Sequence, residues 1–126
     1  MRKAVLLILI LAIIVSAGVS EHYFIHRTFD SFNLQLQEID SLIDKNKSSE
    51  ALEKVRILQK WWDKKRKIID GISFSPDSRQ VNVVIGEIEG SLDTDDMQNA
   101  ESKIDSLFEL IKNIRDILDF DFADIF

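Results

Sequence analysis

The chain opens with an uninterrupted apolar run, Ala4-Val5-Leu6-Leu7-Ile8-Leu9-Ile10-Leu11-Ala12-Ile13-Ile14-Val15, and carries no charge from Ala4 to Ser20. Beyond it the apolar positions recur at spacings of three and four, the period of an amphipathic helix. Ile25, Phe29, Phe32, Leu36, Ile39 and Ile43 form the first stripe, which predicts a helix running from the apolar segment to about Asp44. Lys45-Asn46-Lys47-Ser48-Ser49 interrupts it, with Ser48 or Ser49 expected to cap the next helix. A second helix, about Glu50 to Asp70, carries Ala51, Val55, Leu58, Trp62 and Ile69 on one face, and Gly71 stands where a C-terminal stop is expected. Ser75 and Pro76 predict the N-cap and first turn of a third helix, with the stripe Val81, Val84, Ile85, Ile88 and Leu92. Thr94-Asp95-Asp96 then caps a fourth, with the stripe Ala100, Ile104, Leu107, Ile111, Ile114 and Leu118.

The two halves of this pattern are related at an offset of 49 residues. Glu38-Ile39-Asp40 matches Glu87-Ile88-Glu89, Asp44 matches Asp93, Ala51 matches Ala100, Lys54 matches Lys103, Val55 matches Ile104 and Leu58 matches Leu107. One helical hairpin cannot bury its apolar face alone, so two are expected to stack. The expected fold is all-α: an N-terminal transmembrane helix continuing into two stacked, tetratricopeptide-like hairpins, or an antiparallel four-helix bundle when closed. Its divisions are an anchor over 1–20, a hairpin over 21–71, a second over 75–118 and a tail over 119–126.

Seventeen uncharged residues in a helix span roughly 26 Å, slightly under the ~30 Å hydrocarbon core of a bilayer. His22-Tyr23-Phe24-Ile25 extends the segment, with Tyr23 suited to the interfacial belt. Arg2 and Lys3 place the amino end in the cytoplasm and residues 21 onward outside the cytoplasmic membrane. Val15-Ser16-Ala17 also fits a signal-peptide cleavage site, so release of a secreted domain after Ala17 stays open. Continuation of the apolar helical phase into Ile25 and beyond favours the uncleaved anchor.

Composition narrows the chemistry. The 126 residues amount to about one small domain, and four Gly and one Pro are too few for a turn-rich β architecture. Absence of cysteine excludes disulfides, thiolate metal sites and cysteine nucleophiles. Residues 21–126 hold 22 acidic against 14 basic side chains, a net −8 that argues against nucleic acid as a partner. There is no glycine-rich phosphate loop and no nucleophile elbow, so no enzyme activity and no cofactor are expected.

Five local features carry candidate chemistry. Glu21, His22 and His26 have two His at i and i+4, but no further His to complete a zinc site. Arg56, Lys60, Lys64 and Lys67 form a basic stripe beside Trp61 and Trp62, a candidate contact for anionic lipid or cell-wall polyanion. Lys65 falls in the apolar arc of the same helix, so it is expected to snorkel or to pair with an acid of another helix. Asp93, Asp95 and Asp96 suggest calcium only weakly, because Gln98 and Ile104 stand where a calcium loop needs Gly and Glu. The tail alternates apolar and acidic residues, making Phe120, Phe122, Ile125 and Phe126 either a strap over the bundle or a docking peptide that adds as an edge strand.

The short basic start, one apolar segment, juxtamembrane Glu21, the Trp61-Trp62 plus lysine run and Ile125-Phe126 together resemble the domain-of-unknown-function family 4363. That family comprises small membrane-anchored proteins of Gram-positive bacteria. The resemblance implies a location and an architecture but no activity, cofactor or catalytic residue. The expected function is therefore a membrane-anchored accessory or scaffold protein that contacts another membrane or envelope protein, its oligomeric state open. The alternative is a ligand- or lipid-sensing module that uses a groove between the hairpins.

Overall fold

A computed structural model describes the backbone of residues 1–72 and 77–125, and the side chains of 1–69 and 78–117. It consists of four helices: α1 (Arg2–Asp44), α2 (Ser48–Ile72), α3 (Asp77–Asp93) and α4 (Met97–Ile125). Each helix packs on its neighbours in a closed ring, α1 on α2 and α4, and α3 on α2 and α4. Short turns join α1 to α2 and α3 to α4, which makes each pair antiparallel.

The stripes face inward because each is apolar on one side only, and the ring buries all four against one another. Phe29, Phe32, Leu36, Leu58, Trp62, Ile85, Ile104 and Leu107 are all within 1% of complete burial. Phe32 meets Trp62 edge to face at 5.3 Å, and Phe29 lies 6.3 Å from the same indole. Ala51 and Ala100 are fully buried, each where its helix leaves the turn and the backbones of a hairpin are close.

The internal repeat extends to individual hydrogen bonds. In the first turn Lys45 N donates to Ser41 O (3.2 Å), Asn46 N to Ile43 O (3.0 Å) and Lys47 N to Leu42 O (2.9 Å). At 49 residues further on, Thr94 N donates to Gly90 O (3.1 Å), Asp95 N to Leu92 O (3.2 Å) and Asp96 N to Ser91 O (2.7 Å). Asn46 and Asp95 both adopt φ 58°, the left-handed region that short polar side chains tolerate best after glycine. Lys54 pairs with Glu38 at 3.7 Å, and its counterpart Lys103 with Glu87 at 2.6 Å.

Three element boundaries differ from the sequence expectation. Ala51 N bonds to Lys47 O, so Lys47 rather than Ser48 or Ser49 holds the N-cap position of α2. Its counterpart Asp96 is a true side-chain cap, accepting from Asn99 N through Oδ1 at 3.2 Å. α2 continues through Gly71 to Ile72, so glycine does not end it. α4 runs past Leu118 to Ile125; the tail backbone is helical, and strand addition by an extended tail does not fit it. The expected capping by Ser75 and Pro76, and the side chains of Phe120, Phe122, Ile125 and Phe126, lie outside the described residues.

Two substitutions test this packing in opposite directions. Leucine at Ala51 or Ala100 overfills the closest approach within a hairpin, and each should cost about 1–3 kcal/mol, by similar amounts because the sites are equivalent. A methyl group added at Gly86 or Gly90 meets nothing within 4 Å, so alanine there should stabilise by about 0.5–1 kcal/mol each. Thermal unfolding followed by circular dichroism in detergent reads both.

Candidate functional site

α1 is divided by its surroundings. From Val5 to Val15 its large apolar side chains are 43–68% exposed, whereas Ile25, Phe29 and Phe32 on the same helix are buried. The first part holds the chain's one stretch, among the described residues, that is long and apolar enough to cross a membrane, with mean hydropathy 2.5. A contiguous apolar surface of this size marks contact with a membrane or another protein.

The end of the bundle next to this stretch is where the aromatic and basic residues of α2 arrive. Pairing of Lys54 with Glu38, and of Trp61 and Trp62 with Phe32, sets residues 60–69 of α2 level with the early bundle turns of α1. Trp62 is fully buried in the core, while Trp61 is half-buried with its ring 6.0 Å from Phe32. Ile57 and Ile68 flank Trp61 on the outer surface, each about half exposed.

The basic stripe expected from the sequence is split. Arg56 Nε donates to Glu89 Oε1 of α3 at 3.1 Å, so it ties the two hairpins together. Lys60, Lys64 and Lys67 are exposed and, among the described residues, make no ion pair. Among the described residues Lys65 pairs with no acid, contrary to one of the two expectations. Its ammonium sits 5.4 Å from the centroid of the Phe24 ring, a cation–π contact.

That contact edges a groove of about 200 Å³ lined by Phe24, Arg27, Thr28, Ser31, Trp61 and Lys65. Its α1 side was not legible from the basic stripe, because Arg27 and Lys65 meet only through the α1–α2 register. The i, i+3 and i+4 spacing of Phe24, Arg27, Thr28 and Ser31 on one face was the available signal.

The remaining candidates are differently placed. His22 and His26 stack edge to face at 4.2 Å, and His26 Nδ1 lies 2.7 Å from Arg115 Nη2. A guanidinium has only donors, so Nδ1 accepts, and a cationic neighbour is the wrong field for a metal ion. Arg115 also bonds Asp30 Oδ1 at 2.9 Å. Among the described residues no group of three metal-ligating side chains is placed to hold an ion, those of the Asp93–Asp96 turn included. Thr94 Oγ1 in that turn bonds back to Gly90 O at 3.0 Å.

At the far end, carboxylates of α1 and α4 oppose one another, and among the described residues none of Asp40, Asp44, Glu101 and Asp105 forms an ion pair. Burial, then the charges of Asp44 and Asp105, push Asp40 above the usual carboxylate range. A hydrogen bond with Asp44, partial desolvation and the charges of Asp44, Asp40 and Asp105 do the same for Glu101. The counterpart of Arg56–Glu89 under the 49-residue repeat is Asp105–Asp40, where attraction is replaced by repulsion.

A raised carboxyl pKa means that the folded state binds more protons than the unfolded one in the window just above the ordinary values of 3.8 and 4.5. Stability contributed by these two groups therefore falls as pH rises through that window. Asp105→Arg, which rebuilds the Arg56–Glu89 arrangement on the other seam, should raise the melting temperature at neutral pH by about 1–4 °C. It should also reduce the gain in melting temperature expected of the wild-type chain as pH falls through that window.

No protein-family model, no curated protein and no solved structure matches the chain. The resemblance to family 4363 rests on its quoted residues alone.

Proposed function

We propose that the chain is a single-pass, membrane-anchored accessory protein that holds a rigid helical bundle against the outer face of the cytoplasmic membrane, where it contacts another membrane or envelope protein. The observation that carries this is the continuity of α1. One 43-residue helix is both the candidate span and the first wall of the bundle. Residues 21–44 rise about 36 Å, so the bundle stands upright on its anchor without a linker.

The interior favours a contact role over ligand sensing between the hairpins. Trp62, Phe29, Phe32 and the aliphatic layers from Leu36 to Ile111 fill the space where such a groove would open. Orientation follows from Arg2 and Lys3, whose charges favour retention on the cytoplasmic side.

Absence of cysteine makes a direct test available. Thr94→Cys, in the exposed distal turn, should react with a membrane-impermeant maleimide on sealed cells. The labelled species in washed membranes should have the mass of the full 14.5 kDa chain. Labelling only after permeabilisation would reverse the orientation, and a soluble product shortened after Ala17 would replace the anchor by secretion.

A further inference from the structure

We propose that the α1–α2 groove beside the span holds the phosphate-bearing headgroup of an anionic phospholipid, drawn from the leaflet where α1 emerges. This rests on the anchored orientation argued above and assigns a ligand to one face of the bundle.

The groove has the chemistry of a phosphate site rather than of a core defect. Arg27 and Lys65 supply two cations, Thr28 and Ser31 two hydroxyls, and Phe24 and Trp61 the floor. No carboxylate lines it, and among the described residues neither cation forms an ion pair. Asp30, the nearest acid along α1, is engaged by Arg115 of α4 at 2.9 Å. Lys65 is held over the Phe24 ring, which pre-places its ammonium at the rim. Ser31 Oγ accepts from Gln35 Nε2 at 3.4 Å, which leaves its own proton to donate to a phosphate oxygen. At about 200 Å³ the groove falls below the ~300 Å³ at which pockets for whole small molecules begin, and it suits a headgroup whose chains stay in the bilayer.

Depth points to the same occupant. Phe24 and Arg27 lie four and seven residues past Ser20, roughly 6 and 10 Å of helix rise. The headgroup layer extends roughly 5–8 Å beyond the hydrocarbon on each side. Side chains on α1 incline toward its N-terminus, so Arg27 leans back toward the bilayer and its length covers the remaining distance. Aromatic rings at this level are at home in the interface, and the paired cations select an anionic over a zwitterionic lipid.

Trp61 reports on the groove directly. The full-length protein is reconstituted in nanodiscs containing phosphatidylglycerol and phosphatidylcholine, with a nitroxide quencher on the headgroup of one lipid or the other. Labelled phosphatidylglycerol should quench Trp61 with an apparent preference of about fivefold, the change that one well-placed cation supports at an anionic surface. Trp61→Phe identifies the signal against the buried Trp62. Arg27→Gln with Lys65→Gln should abolish the preference, whereas Lys60→Gln with Lys67→Gln removes equal charge outside the groove and should leave it. Equal quenching by both lipids, or equal loss in both double variants, overturns the headgroup site while leaving the anchor intact. Quenching by neither lipid overturns the headgroup site as well, while the labelling and fractionation described above decide the anchored orientation separately. A preference erased by millimolar inorganic phosphate would assign the groove to a soluble phosphoryl compound and overturn the lipid.

Discussion

α1 is helical from Arg2 to Asp44 without a break, yet its first part is exposed among the described residues and its second part is one wall of a packed core. A helix transmits rotation, so the face that Phe29, Phe32 and Leu36 present to the core fixes the direction in which every other face of the bundle points. Gly18 is the only helix-weakening residue near the junction, and it costs roughly 1 kcal/mol without breaking the helix. The consequence is positional: Phe24 and Arg27 stand at a set height above the apolar segment, and α2 is locked to that height by the Phe29, Phe32 and Trp62 contacts. A flexible linker at residues 18–24 would have left the α1–α2 groove at no defined depth.

Within the bundle, two hairpins of one design are joined along two seams that are not alike. The repeat preserves what each hairpin needs to fold: the turn bonds, the left-handed residue at Asn46 or Asp95, the buried alanine and the Lys–Glu clasp. It does not preserve what lies between hairpins. On the α2–α3 seam Arg56 meets Glu89; at the equivalent place on the α1–α4 seam Asp40 and Asp105 repel. The exposed pair adds little to stability, and the opposing acids cost a similar small amount. Apolar burial carries both seams, which leaves the charges free to differ.

Much of the architecture was legible because it is encoded locally. Helix type, the four stripes and the hairpin turns follow from three-and-four spacing, and all five residues assigned to the α2 stripe are buried. Ends were less legible. Gly71 carries no more than a preference for stopping, and α4 continues through a segment whose alternation of Phe and Asp reads equally well as a strand. The groove was least legible of all, since it joins Arg27 to Lys65 across 38 positions of sequence. A helical wheel shows which residues of α2 lie together, but not that Arg56 is drawn to Glu89 while Lys65 settles on Phe24. Those choices depend on the relative height of two helices, which the Trp62 contacts decide.

That height also separates the charges along the bundle. Residues 33–59 and 86–111, the half away from the apolar segment, contain 13 carboxylates against five cations, whereas the remaining bundle segments are balanced at nine of each. The whole acidic excess of the bundle therefore sits toward the distal turns. At physiological ionic strength charge is screened over about 8 Å, and the distal turns stand about 36 Å from Ser20 along α1. More than four screening lengths divide the two ends, so a membrane at one end exerts almost no field at the other. On the anchored orientation proposed here, the basic and aromatic residues of α1 and α2 answer to the lipid surface. If the partner contact proposed above is made at the acidic end, its charge favours a cationic surface there, raising the rate of encounter more than the strength of the contact.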